Sequence, residues 1–234
     1  MDSHRMRLRS MGYYKFQEFR GVEMPSYKAV LFDYGNVLCM PQLESDVEAM
    51  AECLQLELNR FKTLYWQLRD EYDVGSLDGT NYWTKIAKKG GQEIREEQLK
   101  IVIELDNVGW SRPNLTMAAW ADRLRNSGII TAIVSNMPSD IREYLRSCEW
   151  LPVFDQYTFS CEVNSVKPAS EIYLYCLEKL ELKPSEVLFL DDRQMNVDAA
   201  AQLGINSFVF TDAAELQPFV QSVGLPEISL GSLF

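Results

Sequence analysis

The stretch VLFDYGNVL, residues 30–38, decides the fold, because it places a single carboxylate, Asp33, directly after a run of apolar residues. A continuously apolar run is typical of a strand that is covered on both faces in a parallel sheet. Gly35 and Asn36 indicate a tight turn at the end of that strand. A carboxylate at this point is poorly solvated, so we expect a cation or a hydrogen-bond donor to pair with Asp33.

Short apolar runs alternate with helical patterns over the rest of the chain. The predicted strands are Ala29–Phe32, Ile129–Val134, Tyr157–Phe159, Val187–Leu190 and Ser207–Phe210. The predicted helices between and after them are Ala118–Arg125, Ile141–Arg146, Ile172–Leu180 and Val197–Leu203. Strands that alternate with helices in this way predict the α/β class, with a doubly wound, Rossmann-like parallel sheet.

The first strand is followed by a long segment, residues 41–112, that has no strand pattern. Its apolar residues recur at helical spacing, and we predict about four helices there, two of them at Tyr82–Ala87 and Ile94–Leu105. We therefore predict a core formed by residues 27–40 and 113–234, with residues 41–112 inserted as a helical cap. Residues 1–26 are basic and lack the apolar segment of a secretory signal, so we expect a loosely attached tail.

The composition limits the possible functions. The chain has 234 residues, 47% hydrophobic and 24% charged, which are ordinary values for a globular protein. Its net charge of −11 argues against nucleic acid or an anionic membrane as the main partner. No apolar stretch approaches the roughly 18 residues of a membrane span. The five cysteines form no CxxC pair, which favours reduced thiols and a cytoplasmic location.

The chain contains a single histidine, His4, within the predicted tail. This nearly excludes serine–histidine triads, cysteine–histidine pairs and histidine-rich zinc sites. Hydrolytic chemistry in this protein therefore has to use carboxylates, hydroxyl groups and lysine, with a hard metal ion as the expected helper.

Polar side chains follow the predicted strands at their carboxyl ends, where ligands bind in an open parallel sheet. They are Asp33, Ser135, Asn136, Lys167, Asp191 and Asp192. Each alone has an ordinary explanation, since Ser135-Asn136 and Asp191-Asp192 could be turn or capping residues and Lys167 could be a solvated lysine. Their occurrence at four successive strand ends favours one shared site.

Four segments in this order, FDYGNVL, VSN, SCEVNSVKP and FLDDRQMNVDAAAQLG, resemble the motifs of the haloacid dehalogenase-like hydrolases. The resemblance extends over the chain after about residue 27. The helical insertion resembles the cap of the cap-type-one members. Within it, RDEYDVGSLDGTNYW is similar to the branch that contains glucose-1-phosphatase-like enzymes and the phosphatase domain of soluble epoxide hydrolase.

This resemblance implies a Mg²⁺-dependent phosphatase that acts on a small phosphate ester, plausibly a sugar phosphate. Asp33 would be the nucleophile and form an aspartyl-phosphate. Asp33, the Gly35 carbonyl and Asp192 would hold Mg²⁺, with Asp191 close behind. The implied phosphate-binding residues are Ser135, Asn136 and Lys167, the last of them also catalytic.

Two alternatives remain open at this point. A hydrolytic dehalogenase would use the same aspartate without metal, and a binding or regulatory module would keep the pocket with little turnover. The second arises because Gly35 stands where related phosphatases commonly have an aspartate that acts as general acid. Without that acid, we expect turnover to depend strongly on the leaving group. Asn164 replaces a usual glycine, but asparagine tolerates the left-handed backbone of a turn.

Four cap residues stand out by their type: Trp66, Arg69, Tyr72 and Trp83. We predict that the two tryptophans pack within the helical bundle. Arg69 and Tyr72 lie about one helical turn apart, so they can share a face that is directed at the site. Both are expected to select the organic part of the substrate.

Overall fold

The structure, a computed structural model, describes residues 27–230. The expectation of a loose tail at residues 1–26 therefore lies outside the described residues. The described chain contains one sheet of five parallel strands in the order β3-β2-β1-β4-β5. The strands are β1 Ala29–Phe32, β2 Ile130–Ser135, β3 Gln156–Phe159, β4 Val187–Asp191 and β5 Asn206–Val209. All five predicted strands are present with ends shifted by at most one or two residues, and the α/β fold class is confirmed.

Six helices accompany the strands in the core. They are α6 Leu115–Asn126, α7 Ser139–Leu145, α8 Ser160–Val163, α9 Ser170–Leu180, α10 Gln194–Gln202 and α11 Ala213–Ser222. Successive residues of β1 point to opposite faces of the sheet. Phe32 packs edge-on against Trp120 of α6, with ring centroids 5.6 Å apart, whereas Leu31 belongs to the cluster that contains Tyr173 of α9. Both faces are therefore covered, as the apolar run of β1 predicts.

The strand order places a switch point beside β1. The chain runs from β1 through β2 to β3 on one side of the sheet and then crosses to β4 and β5 on the other. The connections after β1 and β4 therefore leave the sheet in opposite directions and open a crevice at the carboxyl ends of these two strands. Asp33 and Asp192 follow these strand ends directly.

Five helices, not four, lie between β1 and α6, in the segment 41–112 for which we keep the name cap. They are α1 Glu44–Cys53, α2 Leu58–Gln67, α3 Arg69–Asp73, α4 Gly79–Gly90 and α5 Glu96–Gly109. The additional helix arises because Leu68, which lies between α2 and α3, has a φ of −103° and a ψ of −2° and interrupts the helix there. The cap has its own cluster of buried residues, which includes Phe61, Tyr82 and Trp83.

The two connections between cap and core run side by side. The Met40 amide donates to the Arg112 carbonyl (2.8 Å), and an isolated β-bridge joins Cys39 to Pro113. This geometry supports the boundaries that we propose for the insertion.

All five cysteines are free, with Cys39 and Cys176 buried. Within residues 27–230, the helices are too short or too polar to cross a membrane.

Candidate functional site

A cavity of about 390 Å³ lies at the switch point, between the carboxyl ends of the strands and the cap. It is lined by seven of the predicted site residues: Asp33, Gly35, Arg69, Ser135, Asn136, Lys167 and Asp192. Asp191 is fully buried directly behind them. The structure thus brings together residues that are spread over 160 positions of the chain, between Asp33 and Asp192.

The cation that Asp33 requires is Lys167, whose ammonium group lies between two carboxylates. Its Nζ is 2.8 Å from Asp33 Oδ1 and 2.6 Å from Asp191 Oδ2. Burial lowers the pKa of Lys167, but the two carboxylates raise it by more, so the ammonium group keeps its proton. Lys167 therefore compensates part of the negative charge at the ends of β1 and β4.

The two oxygens of Asp33 have different surroundings. Oδ1 accepts hydrogen bonds from the Tyr34 amide (2.6 Å) and the Ser135 hydroxyl (2.8 Å), in addition to Lys167. Among residues 27–230, no donor lies within hydrogen-bond distance of Oδ2. Burial raises the pKa of Asp33 to about 7, with a further increase from Asp191, against the opposing effect of Lys167. Oδ2 is thus the oxygen that is available for chemistry.

Asp191 is an anchor for its neighbours. Burial raises its pKa, but Lys167, the Arg193 amide and the Asn196 side chain together hold the pKa below its ordinary value. Oδ1 accepts from the Arg193 amide and the Asn196 side chain, both at 2.9 Å. Every oxygen of Asp191 therefore has a partner, which indicates that its role is to position Lys167 and the start of α10.

Both polar atoms of the Asn136 side chain also have hydrogen-bond partners within the protein. Its Nδ2 donates to the Lys167 carbonyl (3.0 Å), and its Oδ1 accepts from the Lys167 amide (2.7 Å). The side chain that the sequence predicts as a phosphate ligand therefore holds the Lys167 backbone in this structure. Asn164, near Lys167, has a φ of 52° and a ψ of 36°, which confirms the left-handed turn expected there.

The donor set fits a divalent cation. Carboxylate oxygens of Asp33, Asp191 and Asp192 all lie within 4.8 Å of one another, and opposite ligands of one Mg²⁺ ion are about 4.2 Å apart. Asn196 Oδ1 is buried and lacks a hydrogen-bond partner among the described residues, as expected of an oxygen beside a hydrated ion. Asn36, which the sequence analysis did not single out, donates to Asp192 Oδ2 (2.8 Å).

Gly35 lies beneath the ring of Trp110. A Cβ atom at position 35 would approach Trp110 Cζ3 to 3.3 Å. The tryptophan is held on both sides, because its carbonyl accepts from the Tyr34 hydroxyl (2.6 Å) and its Nε1 donates to the Tyr65 hydroxyl (2.9 Å). The site therefore has little room for a side chain at position 35. The sequence contained no signal for this role of Trp110.

Arg69 lines the cavity from the cap side. Its Nε donates to Asp73 Oδ1 (2.8 Å), and its Nη1 donates to the Tyr65 hydroxyl (2.6 Å) and approaches Asp106 Oδ2 (3.4 Å). Arg69, Asp73 and Asp106 are all buried. Arg69 thus combines access to the cavity with a structural role inside the cap.

Tyr72, in contrast to Arg69, is not among the residues that line the cavity. Its ring stacks on Tyr82, with centroids 4.2 Å apart, and its hydroxyl donates to Asp140 at the start of α7 (2.9 Å). The Arg69 guanidinium group lies over the Tyr72 ring, 5.4 Å from its centroid, so the two residues are neighbours although only Arg69 reaches the cavity. Trp83 is buried as predicted, but Trp66 is 56% exposed and lines the cavity, so the packing interpretation was wrong for Trp66.

Tyr72→Phe should weaken the protein without changing its choice of substrate. The variant loses one hydrogen bond between cap and core and leaves Asp140 without that donor, at a cost of about 1 kcal/mol in the free energy of unfolding. Tyr82→Phe is the matched control, because its hydroxyl donates within the cap, to the Tyr65 carbonyl. Urea unfolding and the ranking of substrates by kcat/KM would check this. An altered ranking at unchanged stability would restore Tyr72 as a selecting residue.

Comparison with known proteins agrees with this geometry. Residues 27–204 match the family model of haloacid dehalogenase-like hydrolases. The chain belongs to this family, and it is an enzyme of the hydrolase class.

Two curated relatives illustrate the relationship. Bifunctional epoxide hydrolase 2 of Mus musculus is 34% identical over 87% of this chain, which confirms the predicted relation to epoxide hydrolase. The chain spans only 40% of that protein's length. A sesquiterpene phosphatase of Aspergillus oryzae is 23% identical over 80% of this chain and 92% of its own length.

A solved structure shows the same fold. It is a family enzyme of Bacteroides thetaiotaomicron in complex with magnesium and inorganic phosphate, with a TM-score of 0.66 and 19% sequence identity. The superposition covers 81% of this chain and 98% of the other. The parallel sheet with its surrounding helices is therefore the fold of the family.

Proposed function

We propose that this protein is a Mg²⁺-dependent phosphatase that hydrolyses a small phosphorylated metabolite through an aspartyl-phosphate on Asp33. The observation that supports this proposal is the acidic cluster of Asp33, Asp191 and Asp192, with Lys167 between the first two, at the floor of a cavity. A cluster with this much negative charge suits a divalent cation and, through it, a phosphate. The magnesium and phosphate bound to the Bacteroides thetaiotaomicron enzyme are consistent with this.

The residues divide the chemistry among them. Asp33 Oδ2, which lacks a hydrogen-bond donor among the described residues, would attack phosphorus. Lys167 and the Ser135 hydroxyl hold Oδ1 and so leave Oδ2 for the substrate, and as residues that line the cavity they would stabilise phosphoryl oxygens. Mg²⁺, held by Asp33, the Gly35 carbonyl and Asp192, would cancel the charge that otherwise repels a phosphate dianion.

The cavity indicates a small leaving group. At about 390 Å³ it has the size of a metabolite site. Trp66 and Trp110 offer aromatic faces, and Arg69 offers a guanidinium group at the cap side. These suit the ring and hydroxyl groups of a sugar phosphate, and we propose Arg69 as the residue that selects the organic part. A second cavity of about 250 Å³ shares Trp66 and Trp110 as walls and adds room beside the first.

The purified protein should release phosphate from a panel of phosphate monoesters in the presence of Mg²⁺. The same preparation should release no halide from 2-haloacids, because the dehalogenase reaction uses no metal ion and would leave the acidic cluster of Asp33, Asp191 and Asp192 without a divalent cation. Phosphate and halide release, each measured with and without a chelator, would check this. Halide release that persists in the chelator would establish a dehalogenase, and absence of both products would establish a binding module.

A further inference from the structure

We propose that Asp73, a residue of the cap, donates the proton to the departing ester oxygen and later accepts one from the attacking water. The proposal rests on the phosphatase function above and assigns the acid–base group of the same site. It locates that group on the cap, opposite the strand ends that hold the nucleophile.

The need for such a donor follows from Gly35. A glycine has no group that can protonate an oxygen, and the Trp110 ring, 3.3 Å from the position of a Cβ atom, occupies the space that an acid at residue 35 would use. An alkoxide is a poor leaving group, and general acid catalysis typically contributes about 10²–10⁴-fold. Esters of ordinary alcohols would therefore be hydrolysed slowly unless another side chain supplies the proton.

Among the ionisable side chains that line the cavity, two are candidates for the proton donor. Asp33 and Asp192 are the proposed nucleophile and metal ligand, and Lys167 is fixed between two carboxylates. The Tyr34 hydroxyl donates to the Trp110 carbonyl (2.6 Å), and arginines do not release protons. The remaining acids are Asp70 and Asp73. Asp70 is exposed to solvent. Asp73 is only 5% exposed, and it lines the cavity.

Asp73 lines the cavity, and its backbone is attached to the core. The Ser160 hydroxyl donates to its carbonyl and accepts from the Met137 amide (2.8 Å), so the Asp73 backbone is tied to the loop that follows Ser135. In its side chain, Oδ1 accepts from Arg69 Nε (2.8 Å). Within residues 27–230, no hydrogen-bond donor reaches Oδ2. Oδ2 is thus the oxygen that can exchange a proton with a substrate.

The environment of Asp73 suits a group that gains and loses a proton. Burial raises its pKa to about 6, while Arg69 opposes the rise and Asp106 adds to it. The charged or titratable groups around it are Arg69 and Asp70 on α3, Tyr82 on α4, Asp106 on α5 and Cys161 on α8. A general acid and base with a pKa near the working pH can serve in both directions.

The proton balance closes over the two steps. As Asp33 Oδ2 forms its bond to phosphorus, the bond from phosphorus to the ester oxygen breaks, and its electron pair stays on that oxygen, which takes the proton of Asp73. The water that then attacks the aspartyl-phosphate forms the new bond to phosphorus and gives its proton to Asp73, while the bond from phosphorus to Asp33 Oδ2 breaks and its electron pair stays on Oδ2. Both carboxyl groups return to their starting state.

The native protein provides the first test. We expect kcat/KM for Mg²⁺-dependent hydrolysis of aryl phosphates to depend only weakly on the pKa of the leaving phenol, and a primary alkyl phosphate to be turned over. Failure to hydrolyse any ester would refute the phosphatase function itself. Hydrolysis with a steep dependence would refute only the donor role and would restore the expectation drawn from Gly35 in the sequence.

Asp73→Asn provides the second test. It should lower kcat/KM for the alkyl ester by about 10²–10⁴-fold and leave 4-nitrophenyl phosphate little changed, because that leaving group needs no proton. Asp106→Asn is the matched control, since Asp106 also pairs with Arg69 but does not line the cavity. Asp70→Asn controls for the other cavity acid. Equal losses on both esters, or the same selective loss in a control variant, would overturn the assignment.

The pH dependence provides a third readout. The donor must be protonated, and the protonated fraction of Asp73 falls as the pH rises through about 6. The ratio of native to Asp73→Asn kcat/KM on the alkyl ester should therefore decrease over that range, with substrate ionisation cancelling in the ratio. A ratio that does not change with pH would contradict the donor role.

Discussion

Asp33→Asn should give a folded protein that releases no measurable phosphate. Asparagine retains an acceptor oxygen for the three donors that hold Oδ1: Tyr34, Ser135 and Lys167. It also removes one of two buried carboxylates that share a single ammonium group, so the melting temperature in metal-free buffer should not fall. At Oδ2, however, the change replaces a nucleophilic oxygen by an amide. Loss of a covalent nucleophile should cost at least the roughly 10²–10⁴-fold of an ordinary catalytic group.

Phosphate release from 4-nitrophenyl phosphate, together with thermal unfolding, checks this expectation. Asp70→Asn is the matched control, since it makes the same change at a different carboxylate of the cavity and should keep its activity on this ester. Turnover close to the native value in Asp33→Asn would remove the aspartyl-phosphate mechanism altogether.

The second large effect concerns the metal. Chelation should abolish phosphate release, and added Mg²⁺ should restore it. Asp192→Asn should raise the Mg²⁺ concentration for half-maximal activity at least tenfold while stability is nearly unchanged. The reason is that Asp192 is only partly buried, and the one hydrogen bond that its side chain accepts from the described residues, from Asn36, can be re-formed with an amide oxygen.

Asp191→Asn separates the two adjacent carboxylates. Asp191 is fully buried and pairs with Lys167 at 2.6 Å. Its pKa is held below the ordinary value whereas that of Asp33 is raised, so the charge of Asp191, unlike that of Asp33, stabilises the fold. Breaking such a buried ion pair typically costs about 3–5 kcal/mol. We therefore expect a loss of stability first, with any metal effect secondary to it. Urea unfolding and Mg²⁺ titration of both variants provide the measurements. Full activity in excess chelator, or a stability loss confined to Asp192→Asn, would show that the roles are assigned wrongly.

The sheet and its site were predictable from sequence because both follow from local patterns and one topological rule. The apolar runs locate β1 and β4, and the rule that parallel strands present their carboxyl ends at one edge brings Asp33 and Asp192 together. The motif that contains Asp191 and Asn196 spans only a few residues, so its geometry depends on a single helix start. None of these inferences needed a contact between distant helices.

The cap was predicted less well because its site residues are fixed by contacts across the chain. Periodicity could not show the break at Leu68 or the contacts of Tyr72 with Tyr82 and Asp140. The position of Asp73 depends on Ser160, 87 residues away in sequence. The i,i+4 spacing of Arg69 and Asp73 was the available signal, and it indicates an ion pair on any helix surface. It contains no information about the cavity above the strands.

The Ser160 hydroxyl links two parts of the enzyme that a cap movement would separate. It bonds the Asp73 carbonyl on the cap and the Met137 amide on the core. Separation of the cap from the core would remove the Asp73 partner of this hydroxyl. The ordering of the loop after β2 is therefore energetically coupled to the position of the cap. A ligand that orders this loop should also favour the position of the cap in which the Asp73 carbonyl contacts Ser160. By the same coupling, loss of that contact should weaken ligand binding.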